Sequence, residues 1–171
     1  MSEQLLLETS LMSLISQVKS KLPSKRREHA VDEVNPTNVE IIPQNGKLLI
    51  RSQVRGSKND IYDSHILFND VTYNPAEGEK RVQFVSNGDT YEISPIQLQS
   101  TDCQVRCSCL DFRWRLAMTD FSDGSLHGSK PPLYRAKTGS KRPPANPAKT
   151  PGVCKHLMAL VKELQNADLF V

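Results

Sequence analysis

The sequence predicts an α+β fold: a small antiparallel β-sheet of hairpins with a helix at each end. Three observations predict it. Apolar residues recur at helical spacing over 4–22 and again from 153 onward. Between them, from about residue 38 to 109, the hydrophobic period changes to two. That middle stretch holds two Asn-Gly pairs, Asn45-Gly46 and Asn87-Gly88, each flanked by strand-like runs. A content of 37% hydrophobic and 24% charged residues in a chain of 171 implies one domain of ordinary size, with a modest core and irregular segments.

The first helix is read over 4–22, where Leu7, Leu11, Leu14 or Ile15, Val18 and Leu22 form one stripe and Ser and Lys fill the other face. Pro23 stops it, and a basic linker follows, so residues 1–28 form an N-terminal helical unit. A helix this short is marginal alone in water, so its stripe needs a cover, either the domain or a partner.

Residues 29–102 read as an antiparallel β domain. The runs around Asn45-Gly46 form a first hairpin, with Pro43 confining its strand to an edge or an end. In "IYDSHILFNDVTY" the apolar parity switches at Asn69-Asp70, as a bulge or turn would require. Val82 and Phe84, then Tyr91 and Ile93, flank Asn87-Gly88 as a second hairpin.

Residues 103–171 form the last unit, interrupted by a long Pro-rich insertion at 110–151. The string "GSKPPLYRAKTGSKRPPANPAKTPG" carries six prolines and cannot continue a sheet or helix. Charge separates here too. Residues 29–109 hold seven Lys/Arg against eleven Asp/Glu, a balance of −4, and 110–151 hold eight against three, a balance of +5. Such a patch suits phosphate, an acidic protein surface or plain solvent. The terminal helix places Leu157, Leu160, Val161 and Leu164 on one face.

Three of the four cysteines lie in "CQVRCSC", residues 103–109, and the fourth in "GVCKHL". On a strand Cys103, Val105, Cys107 and Cys109 share a face. Cys103 and Cys107 would stand about 13 Å apart, too far for a disulfide, and a Cys107–Cys109 bond would close a strained ring. Two thiolates leaning toward a shared ion fit more easily. Cys154 and His156 cannot both reach one ion from inside a helix, because i and i+2 point about 200° apart. Cys154 therefore belongs on the turn that Pro151-Gly152 provides, with His156 in the first helical turn. The expected site is one Zn2+ held by Cys107, Cys109, Cys154 and His156, a closed set that points to a structural metal. Cys103 is left as a small buried hydrophobe or a substitute ligand. His65 reads as structural and His127 as exposed, and His29 has no ligand-like spacing.

The order Cys-x-Cys, then Cys-x-His at a helix start, resembles the SWIM-type zinc finger. The resemblance rests on Cys107, Cys109, Cys154 and His156, and the 44 residues between Cys109 and Cys154 exceed the usual spacer. It implies a ββα-like zinc unit, with the first pair on a hairpin and the second at the helix N-terminus. The wider string "CSCLDFRWR … RPPANPAKTPGVCKHLMALVKEL" is similar to a SWIM-bearing protein type found in tailed phages. That similarity implies a virion component with other virion or assembly proteins as partners, present in the host cytoplasm during assembly and then in the particle.

After the first ligand pair, "LDFRWRL" puts Phe112 and Trp114 on one parity and Arg113 and Arg115 on the other. Arg113, Trp114, Arg115, Lys137, Lys141 and Arg142 are therefore candidate contacts for nucleic acid or a protein partner. The plainer reading packs the aromatics on the zinc unit and leaves the arginines in solvent. Asp111 is a candidate acceptor for the His156 ring. No Gly-rich phosphate loop, His-Glu-x-x-His or nucleophile string occurs, which argues against an enzyme. A Cys154–His156 catalytic pair would leave the other cysteines unexplained. No apolar run approaches a membrane span and no secretory order opens the chain, so the expectation is a soluble protein without a membrane partner. The leading expectation is a non-enzymatic zinc-binding structural or interaction protein of a tailed-phage particle. The alternative is a nucleic-acid-binding zinc-finger module.

Overall fold

The structure, a computed structural model, describes residues 9–24, 33–133, 139 and 144–171. Helix α1 (Leu11–Lys21) precedes strands β1 (Asn35–Gln44), β2 (Lys47–Arg55), β3 (Ile61–Phe68), β4 (Val82–Ser86), β5 (Asp89–Ile93) and β6 (Cys103–Cys107). A π-helical turn (Phe112–Leu116) then runs into α2 (Ala117–Asp123), and α3 (Lys155–Leu164) follows. The architecture is mixed α+β. One antiparallel sheet has the order β1-β2-β3-β6 and a second contains β4 and β5.

Both Asn-Gly pairs make hairpins. Gln44 faces Lys47 across the first, and Ser86 faces Asp89 across the second. Asn87 and Gly88 have φ of 50° and 86°, the double left-handed turn whose twist matches its strands. β1 is an edge strand, where Pro43 costs no interior ladder bond. The parity switch at Asn69-Asp70 is a turn, with Asp70 at φ 53°, that takes the chain out of the sheet.

Alternation sends Leu48, Ile50 and Val54 of β2, Ile66 and Phe68 of β3, and Cys103, Val105 and Cys107 of β6 into the core. α3 crosses all four strands and buries Leu157, Leu160, Val161 and Leu164, the face its spacing predicts. The α1 stripe, Leu11, Leu14, Ile15 and Val18, is buried in the same core, so the cover it requires is the protein itself. Ser10 caps α1, its Oγ accepting from the Ser13 N–H at 3.2 Å. The expected helix residues before 9 lie outside the described residues. Asp102 ties this end down, accepting from the Thr9 N–H at 2.9 Å and the Asn69 amide at 2.7 Å.

The stretch directly after Cys109 departs from expectation. Residues 110–123 are helical and packed, not the start of an irregular insertion, and bury Phe112, Leu116, Ala117 and Asp120. Burial of these four residues outweighs the period-two look of "LDFRWRL". The Pro-rich string returns to the domain at Asn146. Its side-chain amide donates to the Thr150 carbonyl at 2.8 Å and the Arg115 carbonyl at 3.1 Å, and its oxygen accepts from the Thr150 N–H.

Candidate metal centre

β6 carries Cys107 at its last position, facing the core. Cys109 lies two residues beyond the strand end, in the turn that enters the helical stretch, and not on the strand face. β6 pairs with β3, so the first ligand pair does not sit on a hairpin of adjacent strands as the SWIM pattern implies. Cys154 is the N-cap of α3 in extended conformation (ψ 172°), and His156 is the second helical residue. This is the turn-then-helix placement that the Cys-x-His spacing requires.

These segments converge. The donor atoms of Cys107, Cys109, Cys154 and His156 all lie within 4.8 Å of one another, and all four residues are buried. The His156 Nδ1 stands 3.9 Å from both the Cys107 and the Cys154 Sγ. All four cysteines are free thiols. A tetrahedral ion with sulfur at about 2.3 Å separates its donors by roughly 3.8 Å, so the cluster needs to contract only slightly to close on one ion. Three sulfurs and one imidazole form a soft donor set that zinc accepts. The cluster could therefore hold a metal ion, with His156 offering Nδ1.

The surroundings favour thiolate. Hydrogen bonds from Cys109 and Cys154, then one from the Ser64 hydroxyl at 3.5 Å, hold the Cys107 thiol well below its usual range. Burial pushes the Cys154 thiol up, and its neighbouring sulfurs add to the rise. The Phe112 N–H points at the Cys109 Sγ at 3.3 Å, a donor that only the helical turn after the pair can supply. α3 starts without a side-chain cap, so its electropositive end meets the thiols directly.

The second ligand pair is fastened from behind. Gly152 donates its N–H to the Asp120 Oδ1 at 2.8 Å. A Cβ on Gly152 would stand 1.8 Å from the Val18 Cγ2. The glycine before Cys154 is therefore required by close approach to α1. Burial raises the Asp120 carboxyl well above the usual carboxylate range, only partly offset by the Gly152 bond.

The remaining candidates separate from this cluster. Cys103 is wholly buried, its thiol donating to the Thr9 carbonyl at 3.4 Å, and burial pushes it up, as for a small core residue. Phe112 is buried while Trp114 is 38% exposed, because the widened turn puts 112 and 116 inside and 114 outside. This replaces the shared parity expected for the two aromatics. The Arg113 guanidinium lies 4.7 Å from the centre of the Trp114 ring. Asp111 pairs with Arg115 at 3.1 Å one turn on. It does not hold His156, whose Nε2 has no hydrogen-bond partner among the described residues. Lys137, Lys141, Arg142 and His29 lie outside the described residues. His127 is half-buried, edge-on to His65 at 5.7 Å, and not exposed.

Sequence reasoning missed Ser64, Tyr62 and Gly56. Ser64 faces Cys107 across β3 and β6, a pairing that only the strand register discloses. Tyr62 packs its ring 4.4 Å from that of His156, and Gly56 lies against both. None of the described helices is long and apolar enough to cross a membrane. No family model matches the chain, and no curated protein or solved structure matches it.

Proposed function

We propose that the chain is a non-enzymatic, zinc-stabilised structural and interaction protein whose ion fastens the end of the sheet to the last helix. The convergence of four buried soft donors from positions 107, 109, 154 and 156 carries this reading. Four donors complete a tetrahedron and leave no position for a reacting water, which favours a structural over a catalytic metal. Placement of Cys154 and His156 at a helix start supports the SWIM-like description. A part in a tailed-phage particle, with virion or assembly proteins as partners, rests on the resemblance of the C-terminal string alone. The interaction surface in this reading is the basic segment within 110–151, since α1 is occupied by the core.

Native mass spectrometry of the purified chain tests the metal. The expected result is one zinc per chain in the wild type and none in Cys107→Ser. A metal-free wild type with its fold intact sinks the reading.

One observation favours nucleic-acid binding as a second reading. Trp114 is partly exposed under the Arg113 guanidinium, a cation and a ring face side by side on the surface. Affinity for single-stranded DNA that falls steeply with salt and drops in Trp114→Ala would support it. Binding indifferent to both would remove it.

A further inference from the structure

A cavity of about 540 Å³ opens beside the metal centre. Cys109 and His156 form the wall it shares with the donor cluster, and Gly56, Tyr62 and Leu110 line it further out. Its volume suits a small ligand. Three cations, Lys58, Arg115 and Lys155, face it against two carboxylates, Asp60 and Asp111. Asp111 is paired with Arg115, and Asp60 accepts from the Tyr62 hydroxyl at 3.3 Å. Among the described residues neither Lys58 nor Lys155 forms an ion pair, and Lys155 reaches only the Ser57 hydroxyl, at 3.3 Å.

One buried polar group belongs to this wall, the His156 Nε2. The residue is 3% exposed, and Nε2 has no hydrogen-bond partner among the described residues. With Nδ1 turned to the sulfurs, a metal there leaves the ring proton on Nε2, so this atom is a buried donor in need of an acceptor. It faces Gly56. A Cβ at that position would stand 3.2 Å from Nε2 and 3.0 Å from the Tyr62 Cε2. A side chain at 56 would press on both rings at the boundary between the ring nitrogen and the cavity. α3, ten residues long, also begins here with Lys155 and brings its electropositive end to the same place.

We propose that this cavity binds a phosphate group, with the His156 Nε2–H as its buried donor and Lys58 and Lys155 as its counter-charge. The phosphate belongs to a small phosphorylated molecule or to the terminus of a nucleic acid. The proposal rests on the metal reading in one respect: the ion on Nδ1 holds the proton on Nε2.

The test uses the full chain with its metal content measured on every sample. Inorganic phosphate, a nucleoside monophosphate, and a short single-stranded DNA with and without a 5′-phosphate are titrated by calorimetry. The His156 ring N–H is followed by NMR. The wild type is expected to bind a phosphate-bearing probe with a shift of that N–H signal. Lys58→Glu and Gly56→Ala should each retain the metal and weaken binding by about tenfold or more. Preference for the monophosphate identifies the small-molecule source, and preference for 5′-phosphorylated over unphosphorylated DNA identifies the nucleic-acid end. Metal-loaded protein that binds none of the phosphates overturns the proposal and leaves the metal reading standing. Binding unchanged by Lys58→Glu overturns it as well, because that lysine is exposed and its replacement does not threaten the fold. Metal-free protein that binds phosphate as tightly as the metal-loaded form overturns the part given to the ion and to the Nε2 proton.

Discussion

Cys107 is where strand, hydroxyl and the other thiols meet, and single substitutions there test the centre most directly. Serine at 107 is nearly isosteric but a poor zinc ligand. Cys107→Ser should lose the metal and about 4 kcal/mol or more of stability, which at this size lowers the melting temperature by about 8–16 °C. Cys103→Ser, about 1 kcal/mol worse for a buried hydroxyl that keeps the Thr9 carbonyl as its acceptor, should keep the metal. Differential scanning with parallel metal assay separates the two. Asp120 has the opposite sense to an ordinary surface carboxyl. Its folded-state affinity for protons exceeds that of the unfolded chain, because burial disfavours the ion. Its neutral form is fully accommodated below the ordinary carboxylate range, and stability is lost as pH rises through the raised folded value. Asp120→Asn preserves an oxygen for the Gly152 N–H and removes that loss. The melting temperature of the variant should therefore gain on the wild type as pH rises from about 4, and a constant difference across pH would contradict this. At this scale Cys107, Cys109, Cys154 and His156 were legible because ligand chemistry restricts residue type and spacing. Ser64 and Asp120 were not, because their partners lie 43 and 32 positions away.

The elements show where local pattern suffices and where packing decides. Both hairpins could be read from Asn-Gly because the turn demands left-handed backbone that few residues adopt. The π turn could not. "LDFRWRL" alternates like a strand, yet the Ala117 N–H reaches the Phe112 carbonyl, and the Phe112 N–H and the burial of Phe112 and Leu116 fix a helical turn behind Cys109. α1 was legible as an amphipathic helix, but nothing in its own residues said what covers it. The contact at Gly152 answers that, since Val18 fills the space where a side chain would stand. Gly152→Ala should cost about 2 kcal/mol through overpacking and weaken metal retention, because it displaces the segment that carries Cys154. Chemical denaturation with a chelator challenge measures both. Restoration by Val18→Ala in the same chain would confirm that the clash with α1 is the cause.

Across the whole molecule, metal retention and folding should share one pH dependence. The ligands must be thiolates and a neutral imidazole, so protons compete with the ion for the same atoms. The stability that the ion contributes is present at alkaline pH and lost as pH falls. Acidification should release the ion and broaden the tertiary signals in one transition, followed by a zinc-sensitive dye and near-ultraviolet circular dichroism. Two well-separated transitions would show that the ion is peripheral to the core. The centre joins position 109 to position 154, and the excursion between them returns by way of Asn146 and Asp120. Closing a longer excursion costs only logarithmically more entropy. Once such a clasp holds both ends, the Pro-rich string ahead of Asn146 can change in length and composition while the body beneath stays the same. The metal would then serve as a mounting plate on which one lineage after another could fit a different attachment.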